Sequence, residues 1–210
     1  MNTPPDHCVV HVVDDDAGLR RSLRFLLESV GWGVRLYVSA EEFLDKIAPP
    51  TQPCCLLLDI RMPSMSGLEL QQVLRQRGLS IPILFMTGHA DVSSAVQALK
   101  SGAADFIEKP FKDQVMLDAV AAAVRRSDED LQDARRRAEA AGVLSSLSPR
   151  EREVARLVAL GQPNKLIAGT LGISEKTVHI HRQHVMDKVG LSSAAELARL
   201  MLRADPAGLD

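Results

Sequence analysis

The chain has 210 residues, of which 46% are hydrophobic and 25% are charged, and its net charge is only −2. A chain of this length and composition can bury two compact cores, and we expect no membrane helix because no run of 18 or more apolar residues occurs. Residues 1–124 carry 11 basic against 15 acidic side chains, whereas residues 148–210 carry 9 against 7. This mild asymmetry is compatible with an acidic site in the first part and an anionic partner of the second.

Three cysteines, Cys8, Cys54 and Cys55, all fall in apolar runs and none has zinc-ligand spacing. We therefore expect buried free thiols, which suit a reducing compartment. The first residues do not have the pattern of a signal peptide, and the predicted location is the cytoplasm.

Strand-like and helix-like segments alternate regularly in the first 124 residues. Apolar residues recur at helical spacing in the longer segments, and Ser39 with Glu42 and Ser66 with Glu69 have the spacing of capping boxes. Asp91 is predicted to cap a further helix. Five short runs have the length and composition of strands, namely residues 8–13, 34–37, 54–58, 83–86 and 105–107.

Strands that alternate with helices pair in parallel through right-handed crossovers, which predicts a doubly wound α/β sheet. We expect the flavodoxin-like strand order 2-1-3-4-5, with ligands bound outside the carboxyl ends of the first and third strands. Asp14 and Asp15 follow the first strand and Asp59 follows the third, so these carboxylates are predicted to converge. We interpret Asp16 as a turn or helix-cap residue.

Three carboxylates at one edge repel one another unless a cation lies among them. All-oxygen ligands favour Mg²⁺, which keeps part of its water and bridges phosphate oxygens. A carboxylate beside Mg²⁺ can attack an activated phosphoryl group and become an acyl phosphate. Thr87 and Lys109, which follow the fourth and fifth strands, offer a hydroxyl and an ammonium to the phosphoryl oxygens.

These segments together resemble the receiver domain of two-component response regulators, over about residues 7–124. Each element lies at the spacing that the family has. The matching segments are Val-Val-Asp14-Asp15, Leu-Leu-Leu-Asp59-Ile-Arg-Met-Pro63, Met86-Thr87-Gly88 and Phe106-Ile-Glu-Lys109-Pro110.

The resemblance implies a role for each matching residue. Asp59 would accept the phosphoryl group, Lys109 would contact it, and Thr87 and Phe106 would form a switch pair. The implied ligands of Mg²⁺ are Asp14, Asp15, Asp59 and the backbone carbonyl of Arg61. A cis peptide bond between Lys109 and Pro110 is implied as well. His89 flanks the site, where it either tunes the lifetime of the phosphoryl group or lies in solvent.

The rest of the chain has a different pattern. Charges of both signs crowd residues 125–146, which we predict to be a solvated linker that is helical in large part. Short helices without strands follow, and the pair joined by Gly172-Ile173-Ser174 has helix-turn-helix form. The predicted organisation is a first domain over residues 1–124, a linker over 125–146 and a small all-α helix-turn-helix domain over 147–210.

Three C-terminal segments resemble the LuxR-type helix-turn-helix domain, over about residues 147–204. Together with the receiver, they resemble the FixJ/NarL class of transcriptional regulators. Family members often have a serine where this chain has Pro163, which removes a side-chain cap. The matching segments are Leu147-Ser-Pro-Arg-Glu-Arg-Glu-Val154, Gly161-Gln-Pro-Asn-Lys-Leu-Ile-Ala168 and Ser174-Glu-Lys-Thr-Val-His-Ile-His181.

Residues 175–188 are the predicted recognition helix, with Val178, Val185 and Val189 facing the core. By motif position, His179, Ile180 and Gln183 are the candidates for reading base edges in the major groove. The candidates for phosphate contacts are Lys165, Lys176, Thr177, Arg182 and Lys188. Each of these side chains has solvated surface as its alternative, and a zinc site among the histidines is disfavoured by their spacing.

The resemblance implies a sensor histidine kinase, promoter DNA and RNA polymerase as partners, and a homodimer that depends on phosphorylation. The implied dimer surfaces are the fourth helix and fifth strand of the receiver and the last helix, residues 194–203. Packing inside the domain explains the apolar stripe of that helix equally well. The protein is not expected to be an enzyme beyond its own phosphorylation and dephosphorylation.

Two other classes of function compete with this interpretation. Haloacid-dehalogenase-type phosphatases also combine an Asp nucleophile, Mg²⁺ and a doubly wound sheet, but they need a second Asp where this chain has Arg61. Hydrolysis of para-nitrophenyl phosphate would favour that class. An adaptor that binds protein rather than DNA is the third possibility, and selection of genomic DNA fragments would discriminate it.

Overall fold

The computed structural model describes residues 8–88 and 100–208. His89, the cap predicted at Asp91 and the predicted helix between the fourth and fifth strands lie outside these ranges. No helix in the described part of the chain is both long and apolar enough to cross a membrane. The chain divides into two compact units, Met1–Leu131 and Gln132–Asp210.

A five-stranded parallel sheet with the predicted order β2-β1-β3-β4-β5 forms the centre of the first unit. The third and fourth strands each run one residue further than predicted, because Asp59 pairs with Met86 and Thr87 pairs with Glu108 in the sheet register. The strands are β1 (Val9–Val13), β2 (Gly33–Tyr37), β3 (Cys54–Asp59), β4 (Ile83–Thr87) and β5 (Asp105–Glu108).

Helices cover both faces of this sheet. Alternate residues of the strands point to opposite faces, so Val13, Leu56 and Leu58 pack in one core and Val10, Val12 and Leu57 in the other. All six residues of β3 are buried, as a central parallel strand requires. The described helices of this part are α1 (Ala17–Ser29), α2 (Ala40–Lys46), α3 (Gly67–Gln76) and the start of α4 (Asp113–Ser145).

The predicted linker lies almost wholly within α4. Ser127 of this helix is buried, and its Oγ accepts a hydrogen bond of 3.1 Å from the backbone N–H of Cys54, the first residue of β3. The part of α4 next to the sheet therefore continues past residue 124. Cys8, Cys54 and Cys55 are buried and free, which confirms that prediction.

The second unit is a bundle of short helices, α5 (Pro149–Ala159), α6 (Asn164–Leu171), α7 (Glu175–Val189) and α8 (Ala194–Ala204). The predicted recognition helix corresponds to α7, and α6 begins at Asn164 because the carbonyl of Pro163 accepts from the N–H groups of Leu166 and Ile167. Pro163 provides no side-chain cap, as expected. The stripe of Leu197 and Met201 on α8 is buried in the core of this unit, which supports internal packing as its explanation.

His11 is a buried polar residue in β1, under α2. Its side chain is 5% exposed, its Nδ1 lies 3.0 Å from the hydroxyl of Tyr37, and its ring contacts those of Tyr37 and Phe43. Burial, helped by the charge of Arg35, lowers the pKa of His11 from 6.5 to about 4. The folded protein therefore keeps this imidazole neutral over a range in which the unfolded chain protonates it.

We expect His11 to make stability depend on pH between about 6.5 and about 4. Its contribution is complete above the unfolded pKa and is lost as pH falls through the folded pKa, with a ceiling of about 3 kcal/mol. Urea unfolding followed by the fluorescence of the single tryptophan, Trp32, measures the effect. His11→Gln, which cannot take up the proton, should lose less stability over this range than the native chain. If the free energies of unfolding of the two proteins fell in parallel with pH, the pH dependence could not be assigned to His11.

Candidate functional site

The carboxyl edge of the sheet holds two buried carboxylates that share one ammonium. Asp14 is 1% exposed and Asp59 is 8% exposed. The Nζ of Lys109 lies 2.8 Å from Oδ2 of Asp14 and 2.6 Å from Oδ1 of Asp59. Residues from three separate strand ends therefore meet at one point. The parallel register aligns Val13 with Leu58, Asp59 with Met86, and Thr87 with Glu108, the residue before Lys109.

The loop after β1 is held by a set of short-range hydrogen bonds. Oδ1 of Asp14 accepts from the backbone N–H of Asp16 at 2.8 Å, and the guanidinium of Arg20 donates to the carbonyl of Asp14 at 2.5 Å. Asp16 caps α1 by accepting from the N–H groups of Gly18 and Leu19, which confirms its predicted role. Asp15, between them, is exposed at the rim of the site.

The loop after β3 is fixed by a close approach of α3. Oδ2 of Asp59 accepts from the N–H of Arg61 at 3.0 Å, and the N–H of Gly67 donates to the carbonyl of Ile60 at 3.0 Å. Ser66 and Glu69 form the full predicted capping box. A Cβ at Gly67 would collide with the backbone carbonyl of Asp59, so only glycine fits here without displacing the loop.

Burial and charge oppose each other at the two key groups of this edge. Burial raises the pKa of Asp59, and the hydrogen bond and charge of Lys109 only partly offset it. Burial acts to lower the pKa of Lys109, but its bonds to Asp14 and Asp59 outweigh that effect and raise the pKa overall. Lys109 therefore stays an ammonium, and its positive charge offsets part of the negative charge of Asp14 and Asp59.

The predicted switch pair lies on the two neighbouring strands β4 and β5. Thr87 is buried, and its hydroxyl donates to the carbonyl of Gly88 at 3.2 Å. Phe106 pairs with Phe85 across the β4–β5 ladder, and its side chain is 39% exposed rather than packed in the core. The peptide bond between Lys109 and Pro110 is cis, as the resemblance implied.

The oxygen-rich edge fits a hard cation in the chemistry of its donors. The carboxylates of Asp14, Asp15 and Asp59 and the carbonyl of Arg61 are the ligand types that Mg²⁺ prefers. Within residues 8–88 and 100–208, however, no group of three potential ligand side chains is already close enough to hold a metal. Lys109 bridges Asp14 and Asp59 instead, so a metal ion would have to engage the exposed Asp15 and share the two carboxylates with this ammonium.

The helix-turn-helix in the second unit consists of α6 and α7. Gly172 ends α6 with a left-handed φ of 65°, which a residue with a side chain rarely adopts, and Ser174 caps α7 through the N–H of Thr177. Arg150 donates to the last carbonyl of α6, at Leu171, over 2.5 Å. Val178, Val185 and Val189 are buried, as predicted, so the opposite face of α7 points outward.

The candidate DNA contacts differ in what already surrounds them. Lys165, Lys176, His179, Ile180 and Gln183 are exposed, whereas Thr177 and Arg182 are half-buried. Arg182 lies 3.4 Å from the side-chain oxygen of Asn164, which joins α7 to α6.

Lys188 already has a partner within the domain. Its Nζ donates to Oε2 of Glu151 at 2.7 Å, and the same carboxylate accepts from the backbone N–H of Ser148. The bond from Lys188 is the main cause that lowers the pKa of Glu151 to about 2, followed by the bond from Ser148. Lys188 therefore fixes the end of α7 against the start of α5.

Three structural residues escaped the sequence reasoning. Arg20 and Gly67 hold the two acidic loops, but neither belongs to a motif that marks this role. Glu151 belongs to a segment that resembles the LuxR-type domain, yet its bond to Lys188 joins residues 37 positions apart. Helical periodicity reports neighbours within one helix and contains no signal for such a contact.

Two protein families match this chain. The response regulator receiver domain matches residues 10–121, and the luxR family of bacterial regulatory proteins matches residues 145–201. The chain belongs to the response regulators with a LuxR-type DNA-binding domain. The resemblance inferred from the motifs and the predicted fold class are thereby confirmed.

Relatives along nearly the whole length support this membership of the response regulators. The transcriptional regulatory protein FixJ of Azorhizobium caulinodans is 45% identical over 206 residues, which cover 98% of this chain and 97% of that protein. The structure of the response regulator StyR is 42% identical, with a TM-score of 0.80, over 92% of this chain and 98% of StyR. Full-length FixJ from B. japonicum is 41% identical with a TM-score of 0.57, over 93% of this chain and 96% of that one.

Membership defines the class of activity of this response regulator. It is a transcription regulator rather than a classical enzyme, its receiver domain implies a sensor kinase as a partner, and its helix-turn-helix domain implies DNA binding. Receiver domains generally bind Mg²⁺ at the phosphorylation site, and the oxygen donors around Asp59 have the chemistry for it.

We expect Gly67→Ala to destabilise the receiver domain of this regulator, because the added Cβ collides with the Asp59 carbonyl and the loop must move. The expected loss is about 1–3 kcal/mol, measured by calorimetric unfolding. Gly169→Ala in α6 is the matched control, because a Cβ there meets no atom within 4 Å. That helical substitution should stabilise the second unit by about 0.5–1 kcal/mol. If Gly67→Ala left the free energy of unfolding unchanged, the close approach of Gly67 to Asp59 would not be required.

Proposed function

We propose that this regulator is switched by transfer of a phosphoryl group from a sensor histidine kinase to Asp59. The observation that carries the proposal is the Lys109 ammonium held between Asp14 and Asp59 at the carboxyl edge of the sheet. It combines a buried carboxylate nucleophile with a cation that can neutralise an incoming phosphoryl group, in one chain with a DNA-binding domain.

The transfer is a displacement at phosphorus. A carboxylate oxygen of Asp59 forms the new P–O bond, the P–N bond to the kinase histidine breaks, and the electron pair stays on the histidine nitrogen. Lys109, already 2.6 Å from Oδ1 of Asp59, is positioned to contact a phosphoryl oxygen.

Bound Mg²⁺ would neutralise phosphoryl charge. Asp14, Asp15, Asp59 and the carbonyl of Arg61 are its proposed ligands. Slow hydrolysis of the acyl phosphate would be the only reaction this domain catalyses besides its own phosphorylation.

Thr87 and Phe106 are the proposed switch pair. The Thr87 hydroxyl now bonds the neighbouring Gly88 carbonyl, and Phe106 is exposed. In the proposed active state the hydroxyl donates to the phosphoryl group instead, and Phe106 moves into the space that this frees. Packed interiors have discrete alternatives rather than continuous deformation, so such an exchange can shift the surface of β5 as a unit.

The altered surface is proposed to promote a homodimer that binds paired half-sites in promoter DNA. One helix-turn-helix module offers few contacts, and two modules on neighbouring half-sites bind more tightly and specifically. Leu202 of α8 is 44% exposed, outside the buried stripe, and is the apolar residue that this helix can offer to a second copy. RNA polymerase is the proposed partner at the promoter, in the cytoplasm.

We expect Asp59→Asn to abolish incorporation of the phosphoryl group from acetyl phosphate, measured by intact mass. Burial raises the pKa of Asp59, so removal of its charge should not unfold the domain and the loss reports on chemistry. Asp16→Asn is the matched control, because Asn also caps helices and Asp16 lies outside the proposed ligand set. It should keep labelling. A labelled Asp59→Asn protein would remove Asp59 from this role.

The same pair of variants tests the link to DNA. Acetyl phosphate should strengthen the binding of promoter fragments by native protein and by Asp16→Asn, and should leave Asp59→Asn unchanged. An adaptor would select no DNA with or without the phosphodonor. A phosphatase would turn over para-nitrophenyl phosphate repeatedly.

We expect two lysines of α7 to respond differently to substitution by glutamine. Lys176 is exposed, and its loss should reduce the slope of log affinity for DNA against log salt by about 1. Lys188 is engaged by Glu151, so Lys188→Gln should lower the melting temperature and change the slope less. Equal slope changes in both variants would instead assign a phosphate contact to Lys188.

A further inference from the structure

The outward face of α7 is defined by residues that alternate with its buried valines. Successive helical residues differ by about 100°, so residues two positions apart lie on opposite sides. Lys176, Ile180 and Gln183 are each two positions from Val178 or Val185, and all three are exposed. Asp187, two positions before the buried Val189, continues the same stripe by one turn.

Charge along the stripe indicates which part enters the groove. Lys176 lies near the amino end of the helix, which begins after the cap residue Ser174 and is the positive end of the helix dipole. Asp187 lies near the carboxyl end. Phosphates attract the first and repel the second. The part of α7 before Asp187 is therefore the part that approaches DNA closely, which leaves Ile180 and Gln183 at the bases.

Ile180 is unusual because it exposes 43% of an aliphatic side chain on this otherwise polar stripe. Water is a poor environment for it, and a major groove offers one apolar group, the C5-methyl of thymine. Gln183 follows three positions later, so the Cβ atoms of the two residues lie about 5–6 Å apart. A glutamine amide pairs with N6 and N7 of adenine, donating to N7 and accepting from N6.

We propose that Ile180 packs on a thymine methyl group and that Gln183 forms the bidentate pair with an adenine, so that each half-site contains both bases within about two base pairs. This rests on the proposed DNA-binding function and names its base preference. His179 lies about 70° from the centre of the stripe, whereas Ile180 and Gln183 each lie about 30° from it, so His179 contacts the wall of the groove rather than its floor.

Full-length protein treated with acetyl phosphate is first used to select duplexes from a random-sequence pool. The selected duplex is then resynthesised with single atomic changes. Deoxyuridine in place of thymine removes only the methyl group, and 7-deazaadenine in place of adenine removes only the N7 acceptor. Each change is made singly at every thymine or adenine of the half-site.

Native protein should lose about fourfold in affinity at one deoxyuridine position and about tenfold at one 7-deazaadenine position. Ile180→Ala should bind more weakly but no longer distinguish deoxyuridine from thymine there. Ile180→Val, the matched control, keeps the apolar contact and should still distinguish them. Gln183→Ala should lose sensitivity to 7-deazaadenine alone, and Gln183→Glu should select cytosine in place of adenine.

The two proposals fail in different ways. If the pool yields no enriched sequence, the DNA-binding function fails and the base assignment fails with it. If a sequence is enriched but Ile180→Ala and Gln183→Ala keep the native sensitivity to both modified bases, the base assignment is overturned and DNA binding stands.

Discussion

The ammonium of Lys109 between two buried carboxylates is the interaction on which the receiver domain depends. Asp14 and Asp59 approach each other where burial raises the cost of charge, and Lys109 offsets that cost without filling the site. An arrangement of this kind is balanced rather than strongly stabilising, because breaking either contact leaves an acid uncompensated. The contacts of Lys109 can therefore rearrange if a phosphoryl group is added to Asp59 as proposed, whereas an apolar core has no charged contacts that could rearrange.

Sheet register delivers these groups to one point, and short loops aim them. Parallel pairing brings the ends of β1, β3, β4 and β5 to the same edge, while Asp16, Arg20 and Gly67 hold the loops after β1 and β3. In the second unit, too, one set of residues positions the helix and another set contains the candidate ligand contacts. Buried valines and capping serines orient α7, and the outward side chains carry the chemistry. In both units, hydrogen bonds to the backbone fix the loops and helix starts that carry the candidate site residues.

Much of this architecture could be predicted from the sequence, because it depends on local patterns. Short apolar runs predicted the strands, Asp16 and Ser66 marked helix starts, and glycines marked helix ends. The strands extended to Asp59 and Thr87 because pairing with neighbouring strands, which no single segment encodes, continues past the apolar run. The bond between Glu151 and Lys188 and the exposure of Phe106 are also non-local, since each depends on how separate elements pack.

The carboxylate of Glu151 has a consequence for how this family diversifies. It binds the start of α5 and the end of α7 together, and because the bond from Lys188 lowers its pKa to about 2, it stays ionised well below neutral pH. This contact joins α5 to α7 through residues other than Ile180 and Gln183. Under the proposed base contacts, exchanges at Ile180 or Gln183 would change the preferred promoter without breaking this contact, so related regulators could diverge in their targets by a few substitutions.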